Sequence, residues 1–274
     1  MAELTLVFVR SMARWGGRGD ADPWQPMAAK AEVIRVARTT KFYGKLLKGR
    51  VNLARLPVVE RAYYFSHGSE FRSARARDPR PVRLVSPWPG GPEITVIQPW
   101  FGVAAERVLP RFDPAWFQGT QFAALAAASA DLVALAEAVL QGAIAMPPLE
   151  FGAIAFDRIG ATPFSEQDRD LVWKALGAPV FVELRGLIGE RLAAECDCHE
   201  GLHVNPAAAI VELRDHESRE ILLTNLLNHN YPVLRLATGL SGVIAETPCG
   251  CGAVTPRLMN LEKIAVQRTM RAGA

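Results

Sequence analysis

Two short stretches hold most of the residues that could ligate a metal or exchange electrons. They are "AECDCHEGLHV" (Ala194 to Val204) and "PCGCG" (Pro248 to Gly252). All four cysteines fall there as two Cys-x-Cys pairs, Cys196/Cys198 and Cys249/Cys251, and two of the five histidines, His199 and His203, stand in the first stretch. Three chemistries compete: a metal site, a redox pair and thiols packed as small hydrophobes. A redox pair normally opens a helix, whose N-terminus stabilises the thiolate, whereas "TPCGCGAVTP" has the glycines and prolines of a turn. Simple burial explains neither the clustering nor the adjacent histidines. Thiolate and imidazole are the donors that suit tetrahedral zinc, so the favoured reading is a structural zinc clasp joining two distant loops. A closed four-coordinate shell would leave no open position for substrate. Cys-x-Cys is tighter than the usual zinc-knuckle spacing, so spacing does not choose among the six donors.

Three histidines lie outside these stretches. His216 in "RDHESRE" reads as a solvated turn. His67 in "YFSHGSEF" neighbours Ser66 and Glu70, but members of a catalytic triad normally converge from separated places in the chain. His229 in "LLNHNYP" precedes a strand pattern. His67 and His229 are the two candidate bases, and for each a structural role is the stronger expectation.

The elements that must position these residues alternate between helix and strand. "RWGGRGDADPWQP" is rich in Gly, Pro and Asp, and residues 1–30 are expected to be irregular. "AEVIRVARTTKFYGKLLKG" carries apolar residues at helical spacing and stops at Gly49. "FRSARARDPRPVR" reads as a basic, solvated loop and "EITVIQPWF" as a strand. The Ala-rich run Phe122 to Met146 reads as one buried or half-buried helix; Asp131 and Glu137 inside it argue against a membrane span. In "TPFSEQDRDLVWKALG", Ser165 and Asp168 form a capping-box pattern and Gly177 closes the helix. The strand-like "APVFVEL" follows, then "AAAIVELRD", "REILLTNL", "YPVLRLAT" and "SGVIAE", a strand-rich final third. The fold class is therefore mixed, layered α/β.

Bulk properties exclude more than they assign. The 274 residues are 50% hydrophobic and 22% charged with a net charge of +3, ordinary for a globular chain and no demand for nucleic acid or membrane. "MAELTLVFVR" lacks the pattern of a secretory leader, which points to a cytoplasmic protein with reduced thiols.

Three segments in order, "AECDCHEGLHV", "ILLTNLLNHNYPVLRLATG" and "PCGCGAVTPRL", resemble the phenylacetate–CoA ligase and coenzyme F390 synthetase branch of the adenylate-forming enzymes. "ARTTKFYGKLLKG", "LARLPVVERAYYF" and "TPFSEQDRDLVWKALGAPVFVEL" extend the likeness upstream, while residues 100–160 carry little of it. The resemblance implies the layered α/β core of that superfamily's N-terminal domain, as a single shortened unit over residues 1–274 with the clasp in a strand-rich part, 178–260. It also implies zinc ligands Cys196, His203, Cys249 and Cys251, with Cys198 and His199 as a surplus pair that could act as alternates.

Several parts that the family's chemistry needs are altered here. The phosphate loop, Ser-Ser-Gly-Thr-Thr-Gly-Lys in the family, corresponds to "VSPWPGGPEITV", where only Gly90 and Gly91 remain and prolines remove N–H donors. No Tyr-Gly-x-Thr-Glu follows "GAPV", and Glu190 is out of register. Leu240 stands where the resemblance expects an Asp for the ribose hydroxyls. No counterpart of the lysine-bearing C-terminal domain of full-length members is expected after "PRLMNLEKIAVQRTMRAGA". Those contacts supply the transition-state electrostatics of adenylation, so the sequence predicts that ATP is not used. Three functions follow. The first is an ATP-independent protein of specialised metabolism that binds or transforms an acyl or aryl group or an acyl thioester on CoA or a carrier protein, by acyl transfer or cyclisation if active. The second is a non-catalytic partner in a biosynthetic complex or homo-oligomer. The third is an unusual acyl/aryl-CoA ligase.

Overall fold

In the computed structural model, residues 25–47, 53 and 56–265 are described. Helix α1 (Gln25–Thr39) starts inside the segment expected to be irregular; "MAAKA" is a run of strong helix formers, and Ala29 is buried. The remainder of that segment, and the stop expected at Gly49, lie outside the described residues. Thr40 separates α1 from α2 (Lys41–Leu47): its hydroxyl donates to Val36 O at 2.8 Å and accepts from Tyr43 N at 3.3 Å, ending one helix and capping the next. Two short helices follow, α3 (Arg61–Ser66) and α4 (Gly68–Phe71). Val33, Val36, Tyr43, Leu47, Tyr64 and Phe71 close over Val233, Leu234 and Leu236.

The centre is an eleven-stranded sheet in the order β10-β11-β12-β13-β9-β8-β7-β6-β5-β2-β4. In its parallel half, β2 (Ile94–Ile97) lies between β4 (Arg107–Leu109) and β5 (Ala124–Ala128). Next come β6 (Gly152–Arg158) and β7 (Val180–Arg185). β7 then turns antiparallel onto β8 (Arg191–Ala194), followed by β9 (Leu202–Val204). The rest of this half is β10 (Ala209–Leu213), β11 (Glu220–Asn225), β12 (Val233–Ala245) and β13 (Arg257–Lys263). A small parallel pair, β1 (Val82–Arg83) and β3 (Val103–Ala104), stands apart.

The Ala-rich run is not one helix. Residues Ala124–Ala128 form β5, buried between β2 and β6, and only Ser129–Leu140 is helical (α5). An apolar run without clear periodicity suits either state, and two waiting strand edges outweigh the helix preference of alanine. Helix α6 (Glu166–Leu176) matches expectation: Ser165 Oγ accepts from Asp168 N at 3.1 Å, Asp168 Oδ2 accepts from Ser165 N at 2.9 Å, and Gly177 closes the helix at φ 65°. "YPVLRLAT" and "SGVIAE" are parts of one thirteen-residue strand, β12, with register shifts against β11 and β13 where a turn was expected.

Candidate functional site

The antiparallel half brings the two cysteine stretches together. Cys196 follows β8, His203 sits within β9, and Cys249 and Cys251 occupy the turn between β12 and β13. Because β13 pairs with β9, Arg257 opposite His203, the hairpin returns its turn to the end of β8. One donor atom from each of Cys196, His203, Cys249 and Cys251 lies within 4.8 Å of all the others. Cys196 Sγ is 3.7 Å from Cys249 Sγ, and Cys251 Sγ is 3.6 Å from His203 Nε2. A tetrahedral zinc with ordinary bond lengths has S···S edges of about 3.8 Å and S···N edges of about 3.5 Å. His203 Nδ1 meets Thr255 Oγ1 at 3.0 Å, which leaves Nε2 facing the thiols. Burial pushes the Cys196 thiol up to about 12. Burial and the nearby Arg257 hold His203 below its usual value, in the neutral form that ligates metal.

Of the surplus pair, His199 stays outside this group and Cys198 borders the Cys196 and Cys249 thiols. His199 turns away: its Nδ1 is 3.3 Å from Glu195 Oε2, and its ring lies 4.9 Å from Phe181. Cys198 is exposed and lies over Gly250, where an added Cβ would stand 3.3 Å from its sulfur.

A second feature lies at the parallel half. A cleft of about 260 Å³ is lined by Arg61, Phe65, Trp100, Arg158, Ile159, Gly160 and Leu187. Trp100 follows β2, Arg158 ends β6 and Leu187 follows β7, so the cleft sits at the carboxyl ends of parallel strands. Open α/β sheets bind ligands there. Arg61 comes from α3, and its Nη1 donates to Gly160 O at 3.2 Å. The guanidinium fits because Gly160 and Gly239 have no side chain: a Cβ on Gly160 would stand 1.8 Å from Nη1, and one on Gly239 3.3 Å from Nε. The Arg158 guanidinium lies over the Trp100 ring at 5.5 Å, and Trp100 Nε1 donates to Gly186 O at 3.1 Å.

Neither candidate histidine lines this cleft. His67 is exposed at the junction of α3 and α4, its Nδ1 2.8 Å from Ser66 Oγ and its ring stacked on Tyr63 at 4.1 Å. His229 is exposed, and its Nδ1 is 3.8 Å from Glu32 Oε2. Sequence reading passed over a buried charge network beneath the cleft. Arg185 pairs with Glu183, donates to Gly189 O at 2.8 Å and lies over Phe101 and Phe156 at 5.7 and 5.2 Å. Arg191 reaches the other Glu183 oxygen at 3.3 Å. The signal was available: two opposite charges two residues apart in the apolar run "VFVELR" share one face of a strand.

This sheet, half parallel with α5 and α6 as crossovers and half antiparallel, has the fold of the adenylate-forming enzymes. The solved structures it resembles include 2-hydroxyisobutyryl-CoA ligase in an open conformation with 2-HIB-AMP and CoA. That match has a TM-score of 0.64 at 14% identity, over 86% of this chain and 68% of that one. The same ligase in its thioesterification state, again with both ligands, gives 0.61 at 14% identity, covering 89% and 68%. In the postadenylation state with R3-HIB-AMP the match gives 0.62 at 14% identity, covering 86% and 66%. No protein-family profile and no curated protein sequence matches the chain. At this level of identity the likeness establishes the fold. Among the described residues, no helix is long and apolar enough to cross a membrane.

Proposed function

We propose that this chain is a divergent relative of the phenylacetate–CoA ligase branch that binds an acyl or aryl group, or its thioester, without ATP-dependent adenylation. The observation that carries this reading is the seat of Arg61. In "RLATGLSG", the counterpart of the Thr-Gly-Asp segment, Leu240 is 2% exposed and offers no acceptor for a ribose, while the Arg61 guanidinium lies over Gly239. Two further features support it. After "GAPV", the strand runs into the buried Glu183–Arg185 pair, not into a threonine and glutamate free to meet phosphate and magnesium. In "VSPWPGGPEITV", Trp88 packs against Gly152 and meets Phe181 edge-on at 5.7 Å, so the segment covers the sheet. Two of the named solved structures hold 2-HIB-AMP and CoA, and the third holds R3-HIB-AMP. An acyl group that arrives already activated as a thioester needs no nucleotide.

The same reading gives the clasp a structural zinc, held by Cys196, His203, Cys249 and Cys251. The ion would tie the β12–β13 turn to the start of β9 and leave no coordination position for substrate.

Calorimetry with ATP·Mg²⁺, CoA and acyl-CoAs, beside a pyrophosphate-release assay with a panel of carboxylates, tests the function. The expected outcome is binding of an acyl thioester with no nucleotide binding. Carboxylate-dependent pyrophosphate release would overturn it, and so would the absence of any acyl or thioester binding.

A further inference from the structure

The cleft at the carboxyl ends of β2, β6 and β7 carries two cations without a compensating acid. Among the described residues, Arg61 and Arg158 meet no carboxylate: Arg61 donates to a carbonyl, and Arg158 lies on an indole face. The other wall is apolar, with Phe65 55% exposed at the rim and Leu187 and Ile159 beneath. A groove of one sign of charge beside apolar side chains concentrates anions, and a guanidinium is the side chain best matched to an oxyanion. At about 260 Å³ the cleft falls just below the roughly 300–1,000 Å³ of drug-sized ligand sites, which suits a small ligand.

We propose that this cleft binds a small amphiphilic anion, its oxyanion held between Arg61 and Arg158 and its apolar body on Phe65, Leu187 and the free edge of Trp100. The assignment rests on the acyl-binding reading above and narrows it: the ligand brings its own negative charge, as a free carboxylate or as a phosphate. Arg61 is held in place from two sides, by its bond to Gly160 and its contact with Gly239, so the cation is positioned before the ligand arrives. Arg158 is the exposed member of the pair and is free to close on the bound anion.

The test is titration of the whole chain, followed by calorimetry and by the change in tryptophan fluorescence. The probes are phenylacetate, phenylacetamide and phenyl phosphate, each without nucleotide. The expected result is that one or both anions bind and the neutral amide binds at least tenfold more weakly. A carboxylate preference identifies the ligand as a small acid, and a phosphate preference identifies a phosphorylated one. Arg158→Gln, an exposed position that leaves the fold undisturbed, should weaken the anion roughly ten- to hundredfold and leave the amide unchanged. Gly160→Ala should do the same by displacing the Arg61 guanidinium, with unfolding curves recorded to confirm the fold. Equal binding of anion and amide, unchanged anion affinity in Arg158→Gln, or no binding of either anion overturns the proposal. Pyrophosphate release would sink the ATP-independent reading while leaving the arginine dependence to be judged on its own.

Discussion

His203 presents Nε2 to the thiols because Thr255 occupies Nδ1, so a metal held there would depend on a residue that is not itself a donor to it. With zinc bound, Thr255→Val is expected to lower metal affinity about ten- to hundredfold, measured by competition with a chromophoric chelator. Unchanged affinity would remove Thr255 from the clasp. Cys249→Ala should lose the metal outright and lower the melting temperature, and about one zinc per chain in the wild type by metal analysis is the matching positive result. Asp157, at the end of β6, shows a different residue-scale effect. Burial raises its carboxyl to about 6, opposed by bonds from Ser129 Oγ at 2.5 Å and Phe164 N at 3.0 Å. Its folded value lies above its ordinary 3.8, so the folded state holds the proton more tightly. The stability this contributes is full below about pH 4 and is lost as the pH rises to about 6. Urea unfolding across that window should show the wild type losing stability relative to Asp157→Asn; parallel curves would contradict the assignment.

At the scale of elements, chain-local chemistry decided what was legible. The Ser165–Asp168 box and Gly177 are signals complete within α6, and they appear where the sequence put them. Ser165→Ala should destabilise the protein by about 1 kcal/mol in denaturant unfolding; no change would mean that α6 is held by packing alone. Residues Ala124–Ala128 carried no such signal. Their state depends on Ala124 pairing with Ile94 on one side and Gly152 on the other, partners about 30 residues away in each direction. Gly152 is the tightest point of that arrangement: an added Cβ would stand 2.6 Å from Pro179 O and 2.7 Å from the Trp88 ring. Gly152→Ala should therefore destabilise by about 1–3 kcal/mol and release Trp88 from the sheet, seen as a red shift of tryptophan emission. An unshifted spectrum with wild-type stability would show that the 86–92 loop does not rest on that glycine.

Across the whole molecule, the sheet changes character at β7, and each half carries one feature: the cleft at the parallel carboxyl ends and the thiol clasp at the antiparallel turns. If the clasp holds zinc, chelation should loosen β9 and the β12–β13 turn while sparing β2, β5 and β6. Hydrogen exchange by mass spectrometry reads that directly, and uniform deprotection would argue for one cooperative unit. The sequence alone supplied six candidate donors in two stretches, the mixed α/β class and the α6 cap, because ligand chemistry and helix ends are written in residue types at short range. By resemblance it also raised the expectation that Leu240 replaces an acid and "VSPWPGG" a phosphate loop. Only the tertiary structure brought one donor atom from each of Cys196, His203, Cys249 and Cys251 within 4.8 Å of one another and turned His199 away toward Glu195. It also places Arg61 and Arg158, and neither His67 nor His229, at the cleft. Those arginines are 97 residues apart in the chain and meet at one cleft only because β6 ends beside the helix that packs on β12. Long-range strand pairing sets such encounters, and no local pattern of residues records it.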